Sequence, residues 1–382
     1  MSEWKTFRIA DVTTNHNARR VPIKSLERKR GQFPYYGASG IVDHIDDYIF
    51  NGEYLLIAED GENLRTRKTP IAFIAAGKFW VNNHAHVVQG NELANSQFLA
   101  YALSKTDISG YLSGSTQPKL TKASLNGMLI RLPERNTQDS IVAILKALDD
   151  KIAVNDLIME TALDLADHCY LKSSYSPSWK SITLESAAKW LSGGTPKTSE
   201  QEFWNGNIPW ISAKSLKTPL IRQSDRNLTK LGVQSGTRMV GKDAIIFVVR
   251  GSSLKEEFRV GITQREVAFG QDCKALVAKE DIDPHTLFHA IRSRTPEILN
   301  MVDETGIGAG RLSTDLISKL EIQVPATPKD ETSARLRFLD EKAANSQSEI
   351  QSLTELRDTL LPQLMSGKLR VKDAEKIVED NV

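Results

Sequence analysis

Apolar residues after Pro133 form a narrow stripe: Ile141, Leu145, Leu148, Ile152, Asn155, Met159, Ala162, Ala166 and Cys169 recur at alternating steps of four and three. That spacing, a period of about 3.5 held for about four heptads, predicts a long helix whose seam is buried against a similar helix. A second stripe of the same period runs through Leu336, Leu339, Ala343, Ser346, Ile350, Leu353, Arg357, Leu360 and Leu364. Two seams in one chain most simply pair with each other, as an antiparallel coiled coil. A helix of about 36 residues is about 54 Å long at 1.5 Å per residue, so the pair reads as a spacer rod with a globular block at each end. Asn155 and Ser346 are polar seam positions, either fixing register or turned to solvent. Pro362 predicts a bend near Leu361, and Gly367 marks the expected helix stop.

The stretches outside the seams carry a different pattern. Short β-rich runs bounded by turn residues occur at 48–58, 71–76 and 85–90, followed by a helical run at 96–104. Later in the chain, runs at 244–251 and 274–279 precede a helical run at 284–294. Both blocks therefore read as mixed α/β.

The two blocks are copies. "WKTFRIADV" at Trp4 is echoed by "WKSITLESA" at Trp179, and "KLTKASLNGMLIRLP" (119–133) lies without gaps on "RLSTDLISKLEIQVP" (311–325). One residue of slippage later, "ALDDKI" (147–152) aligns with "FLDEKA" (338–343). The repeat gives a four-part plan: a globular block at 1–135, a long helix at 136–177, a second block at 178–327, and a second long helix with a tail at 328–382.

Charge follows the same plan. The overall net charge is +1, but the four parts carry +4, −4, +3 and −2 in turn. Mildly basic blocks alternating with acidic helices suggest that the blocks touch an anionic partner. No charged-then-apolar leader opens at Met1, and no apolar run approaches the ~20 residues of a membrane span, so a cytoplasmic chain without membrane contact is expected. Cys169 and Cys273 have no partners at metal-binding spacing and read as buried thiols.

Candidate catalytic motifs fail on context. "TGIGAG" at Thr305 has the look of a cofactor loop, but its glycines align with Thr116 and Pro118 of the first copy, and no long helical pattern follows. "NIPW" at Asn207 has Ile208 where an amino-methyltransferase motif needs its first proline. "IAEDGEN" at Ile57 offers paired acids without the lysine of common nuclease sites. His84 and His86 alternate on a strand-like run and lack a third zinc ligand, which favours packing or nucleic-acid contact.

The two-block, two-helix plan, together with "YYGASGIVDHIDDYIFNGEYLLIAEDG", "GGTPKTSEQEFWNGNIPWISAKSL" and the closing "LRDTLLPQLMSGKLRV", resembles the specificity subunit of type I restriction-modification systems. The resemblance spans nearly the whole chain. It implies two tandem target recognition domains, each reading one half of a split double-stranded DNA sequence, separated by the paired helices. It also implies a subunit that is not itself catalytic and carries no cofactor. Two modification subunits using S-adenosylmethionine to methylate adenine N6, and ATP- and Mg-dependent restriction subunits, would join it.

Residue types agree with DNA contact. Arg19, Arg20, Lys24, Arg28, Lys29 and Arg30 form a basic cluster leading to Tyr35 and Tyr36, suited to phosphate binding beside the groove. Lys119, Lys197, Lys214, Arg250, Ser252 and Arg311 lie in stretches expected to face DNA, and Asn83 and Gln117 are amides of the kind that read adenine. The competing classes are a self-contained methyltransferase or nuclease, and a protein scaffold that never touches DNA.

Overall fold

The computed structural model describes residues 4–304, 309–327 and 330–381. The chain divides into two compact units, the first formed by Met1–Ala153 with Gln351–Val382 and the second by Val154–Ile350. Each unit therefore holds one globular block and a half of each long helix. No helix among the described residues is long and apolar enough to cross a membrane.

Among its described residues the first unit contains ten strands: β1 (Lys5–Arg8), β2 (Thr13–Asn15), β3 (Arg30–Gly37), β4 (Gly40–Ile45), β5 (Phe50–Asn51), β6 (Tyr54–Ala58), β7 (Ala72–Ala75), β8 (Lys78–Val81), β9 (Ala85–Gly90) and β10 (Leu129–Leu132). They form an antiparallel sheet in the order β2-β9-β6-β7, a mixed sheet in the order β4-β3-β8-β5, and the pair β1-β10. Every residue of β6 is buried because both of its faces are covered. Leu55 and Ile57 enter one core with Phe98 and Leu99 of the helix Ser96–Lys105, whereas Tyr54 and Leu56 enter another with Phe50 and Phe79. The run expected as one strand at 48–58 is broken at Gly52, whose φ of 128° turns the chain between β5 and β6.

The second unit repeats this design with β11 (Trp179–Thr183), β12 (Ala188–Ser192), β13 (Trp204–Ile211), β14 (Leu220–Ile221), β15 (Asn227–Leu228), β16 (Arg238–Val240), β17 (Ile245–Val248), β18 (Arg250–Gly251), β19 (Val260–Thr263), β20 (Val267–Phe269), β21 (Cys273–Ala278), β22 (Val302–Glu304), β23 (Gly310–Leu312) and β24 (Glu321–Pro325). Its sheets run β12-β21-β17-β19-β14, β15-β13-β20-β16 and β11-β24, with an added ribbon β18-β23-β22. The shared strands keep the order they have in the first unit, and β14 is an added edge. Even the parallel pair β3/β8 has its twin in β13/β20. The sequence duplication is thus a duplication of topology. Of the glycine run, Thr305, Gly306, Ile307 and Gly308 lie outside the described residues, and Gly310 opens β23.

The long helices run Arg135–Ser174 and Glu331–Met365. In the first unit Ile141, Leu145 and Leu148 share a core with Leu353, Leu360 and Leu364; in the second, Ala162 and Ala166 share one with Leu336 and Ala343. Ile152, Met159, Leu339 and Ile350 are half-buried. The buried stripe is wider than the expected seam, taking in Val142, Ile144 and Leu163, because each helix also packs on the β-structure of its unit. Asn155 and Ser346 are both buried, which removes the solvent-facing alternative. Arg357 does not fill an apolar seam position: its guanidinium donates to Asp149 at 2.8 Å. The helix passes through Pro362 and ends one turn later, where Gly367 takes φ 72° against the Trp4 indole. Cys273 is buried, and burial pushes its thiol up to about 12, whereas Cys169 is only half-buried.

Candidate nucleic-acid interface

Backbone hydrogen bonds at the end of the central strand set up the same cleft in both units. Beyond β17, Val249 N donates to Asp272 O at 2.8 Å, and Leu312 N donates to Val249 O at 2.9 Å. Beyond β6, Glu59 N donates to His84 O at 2.8 Å, and Leu120 N donates to Glu59 O at 2.7 Å. Glu59 thus corresponds to Val249, and the neighbouring positions follow: Asp60 to Arg250, Asn83 to Gln271, and Lys119 to Arg311. Strand register adds a fifth pair, because His86 opposes Ile57 as Lys274 opposes Phe247.

In the second unit these residues form a basic concavity. Arg250 and Arg311 are direct partners across β18 and β23, and Asp303 of β22 opposes Arg311 from the other side. All three are exposed. A cavity of about 350 Å³ beside them is lined by Gln271, Lys274, Ser313 and Asp315 as well as both arginines. Lys274 Nζ donates to Ser192 Oγ at 2.7 Å. Like charges thus stand directly opposite each other on this ladder, an arrangement that is destabilising in itself, with Asp303 on the other side of Arg311 as the opposite charge.

The first unit builds the same cleft with internal charge balance. Arg20 Nη1 lies 2.7 Å from Glu59 Oε2, and Lys119 Nζ lies 3.4 Å from Glu59 Oε1. Burial alone would raise the Glu59 pKa, but Arg20 and Lys119 outweigh it and hold the carboxyl below its ordinary range. His84 Nδ1 is 2.9 Å from Asp60 Oδ2. His86 is fully buried: Nε2 faces the Leu120 carbonyl at 2.7 Å and Nδ1 faces Asn17 Nδ2 at 2.8 Å. That pairing suits a neutral ring donating from Nε2 and accepting at Nδ1, in line with burial, which lowers its pKa. Asn83 and Gln117 are exposed beside this balanced cluster.

The family of the type I restriction modification DNA specificity domain matches residues 1–160 and 177–355, one copy on each globular block. The chain belongs to this family. Over 147 residues it is 42% identical to a candidate type I restriction enzyme specificity subunit of Haemophilus influenzae, a match covering 38% of this chain and 37% of that protein. The chain spans little more than a third of that relative in the match. The type I restriction enzyme MjaIX specificity subunit of Methanocaldococcus jannaschii is 24% identical over 97% of this chain and 94% of its own length. Among solved structures, the type I restriction-modification system S subunit from M. genitalium shares the fold, with a TM-score of 0.69, 17% identity and coverage of 95% of this chain and 96% of that one.

In this member of the specificity family, the residues picked from the sequence separate into two groups. Arg19 lies over the Phe50 ring, 4.4 Å from its centroid, and bonds the Tyr54 hydroxyl at 3.3 Å; Arg20 is held by Glu59; Arg28 pairs with Asp43 at 3.2 Å while lying over Tyr35. These three arginines are anchors of the fold. Lys24, which lies 3.8 Å from Glu27, is exposed, as are Lys29, Arg30 and Arg19. Tyr35 does not face a groove: it is 1% exposed, and its hydroxyl accepts from Ile23 N at 2.9 Å. Tyr36 is half-buried against Phe73 and Phe79. Lys197, Lys214 and Ser252 stand outside the cavity lined by Arg250 and Arg311. Asn207 and Trp210 of "NIPW" lie within β13, where the Trp210 indole donates to Gly194 O at 3.1 Å. Gln271 and Lys274 were missed. Only the equivalence with Asn83 and His86, visible in the strand register, brings them out.

Proposed function

We propose that the chain is the DNA-specificity subunit of a type I restriction-modification complex, reading a split duplex sequence with one half-site for each unit. The observation that carries this reading is the duplicated cleft: two copies of one topology present exposed amide and basic side chains at equivalent positions, with different chemistry in each. Such side chains read base edges in the major groove, and a pair of dissimilar clefts suits a target with two dissimilar halves. The long helices then set the number of unread base pairs, as dimer geometry sets half-site spacing in other DNA-binding proteins. The chain acts in the cytoplasm without chemistry of its own. Two modification subunits supply methyl transfer to adenine N6 from S-adenosylmethionine, and restriction subunits supply ATP- and Mg-dependent cleavage. Methylome sequencing of cells with the gene intact and deleted tests this. Loss of one split N6-methyladenine motif on deletion is expected, and methyl transfer by the purified chain alone would overturn the non-catalytic assignment.

A further inference from the structure

Five positions of the two clefts are equivalent in backbone and unequal in side chain. Asn83 and Gln271 are both amides at the turn before β9 and β21, both exposed, and neither side chain has a partner among the described residues. Lys119 and Arg311 are both basic. Asp60 and Arg250 are opposite in sign, and Asp60 is covered by His84 where Arg250 stands open beside Arg311. A carboxamide forms two parallel bonds with adenine N6 and N7, and a guanidinium does so with guanine O6 and N7. The major groove admits a two-stranded β-ribbon, and in the three-stranded sheet β18-β23-β22 the pair β18-β23 carries Arg250 and Arg311 in register, with Asp303 of β22 beside Arg311. The corresponding place in the first unit has no such ribbon among the described residues, only the isolated bridges Asp60↔Lys119 and Ser113↔Lys119.

We propose that Gln271, Arg250 and Arg311 determine the bases of the half-site read by the second unit, with Gln271 at an adenine and the arginine row at a guanine. Asn83 holds the adenine position of the other half-site, where Asp60 stands in place of the arginine and the guanine contact is missing. The assignment rests on the DNA-specificity reading and goes further by fixing which side chains specify which half. Lys274 is tied to Ser192 and His86 is buried, so the fifth pair shapes the cleft floor and leaves recognition to the other positions.

The test uses the full chain expressed with its modification subunits in a host lacking N6-adenine methylation, read by methylome sequencing. Arg250→Lys keeps the charge and loses the planar fork, so guanine discrimination at one position of one half-site falls about tenfold or more. Gln271→Ala relaxes a different position of that same half, and Asn83→Ala relaxes the other half only. Arg311→Lys is a second conservative variant at an exposed site, and melting temperatures equal to wild type show that the variants fold. An unchanged motif in Arg250→Lys and Gln271→Ala overturns the proposal. So does an even loss of methylation over all targets, which marks phosphate contact alone. A wild-type chain that yields no split motif instead removes the DNA-specificity reading, and this assignment with it.

Discussion

His289 and Tyr101 occupy the same position of equivalent helices, and each bonds the carboxylate at the same step of a long helix: His289 Nε2 lies 3.1 Å from Asp340 Oδ1, and the Tyr101 hydroxyl donates to Asp149 at 2.6 Å. Each carboxylate takes a second partner, His285 Nδ1 at 2.7 Å for Asp340 and Arg357 at 2.8 Å for Asp149. In the second unit the network extends to Asp167 of the first long helix, which faces His289 Nδ1 at 2.6 Å and is gripped by Arg292 at 2.7 Å. Both units therefore lock a helix of the globular block to the long helices through a carboxylate.

The lock in the second unit makes stability depend on pH. Burial works against charge on His289, but hydrogen bonds with Asp167 and Asp340 outweigh it and raise its pKa above the ordinary 6.5. Its contribution is fully present below about pH 6.5 and is lost as pH rises through the folded value. Burial also opposes charge on Asp340 and Asp167, yet their imidazole and guanidinium partners depress both below 3.8. Their contribution is present above that value and fades as pH falls through the folded one. The difference in melting temperature between wild type and His289→Gln should be greatest near pH 5–6 and shrink toward pH 9, each tenfold gain in proton affinity on folding being worth roughly 1.4 kcal/mol. Asp340→Ala should cost about 3–5 kcal/mol, since it leaves buried imidazoles without their acceptor. A difference independent of pH would show that His289 packs as a neutral ring.

Replacing Asn155 by an apolar residue should stabilise the protein. Its Nδ2 is buried with no partner among the described residues, and an unsatisfied buried donor costs about 1–3 kcal/mol. Asn155→Leu should therefore raise the denaturant midpoint. If the polar residue also fixes helix register, the stabilised variant will sediment as more than one species; a single species denies that role.

Lys29 and Arg20 should respond differently to alanine although they belong to one basic cluster. Lys29→Ala should weaken binding to every duplex alike and lower the salt slope by about one, with melting unchanged. Arg20→Ala should destabilise the first unit by about 3 kcal/mol, because it strands a largely buried Glu59 carboxylate. Loss of affinity without loss of stability in Arg20→Ala would move that arginine back to the DNA.

Lengthening both long helices by two turns should change the number of unread base pairs and leave the half-site sequences alone. Methylome sequencing checks both at once. Altered half-sites with an unchanged gap would deny the helices their spacer role.

The repeat made much of this architecture legible. The 3.5-residue stripe located both long helices, and the helical runs at 96–104 and 284–294 were found as Ser96–Lys105 and Pro284–Ser293. Both begin at side-chain caps, Asn95 and Asp283, which accept from the next turn's backbone. What stayed hidden was set by tertiary partners. Nothing local distinguishes Arg20, which finds Glu59, from Lys29; the difference arises from a residue just past the end of β6, 39 positions on. Asp167, His289 and Asp340 read as ordinary helix-surface residues, and only chain closure over 122 and 51 residues makes them a cluster. Gln271 sits in a turn whose equivalence to Asn83 appears in strand pairing, because the aligned segments of the two copies do not reach it.

The pairs β1-β10 and β11-β24 have a further consequence. In each unit the strand that opens the globular block lies beside the strand that closes it, with Thr6 opposite Arg131 and Ile182 opposite Ile322. Neighbouring strands are only about 4.8 Å apart, so the chain leaves each block almost where it came in. Everything between is a cartridge plugged into a two-strand socket. A foreign cartridge would have to match the socket strands and keep the carboxylate contacts at the Tyr101 and His289 positions to seat on the helices, and it would then give a new recognition half from one recombination event at each boundary.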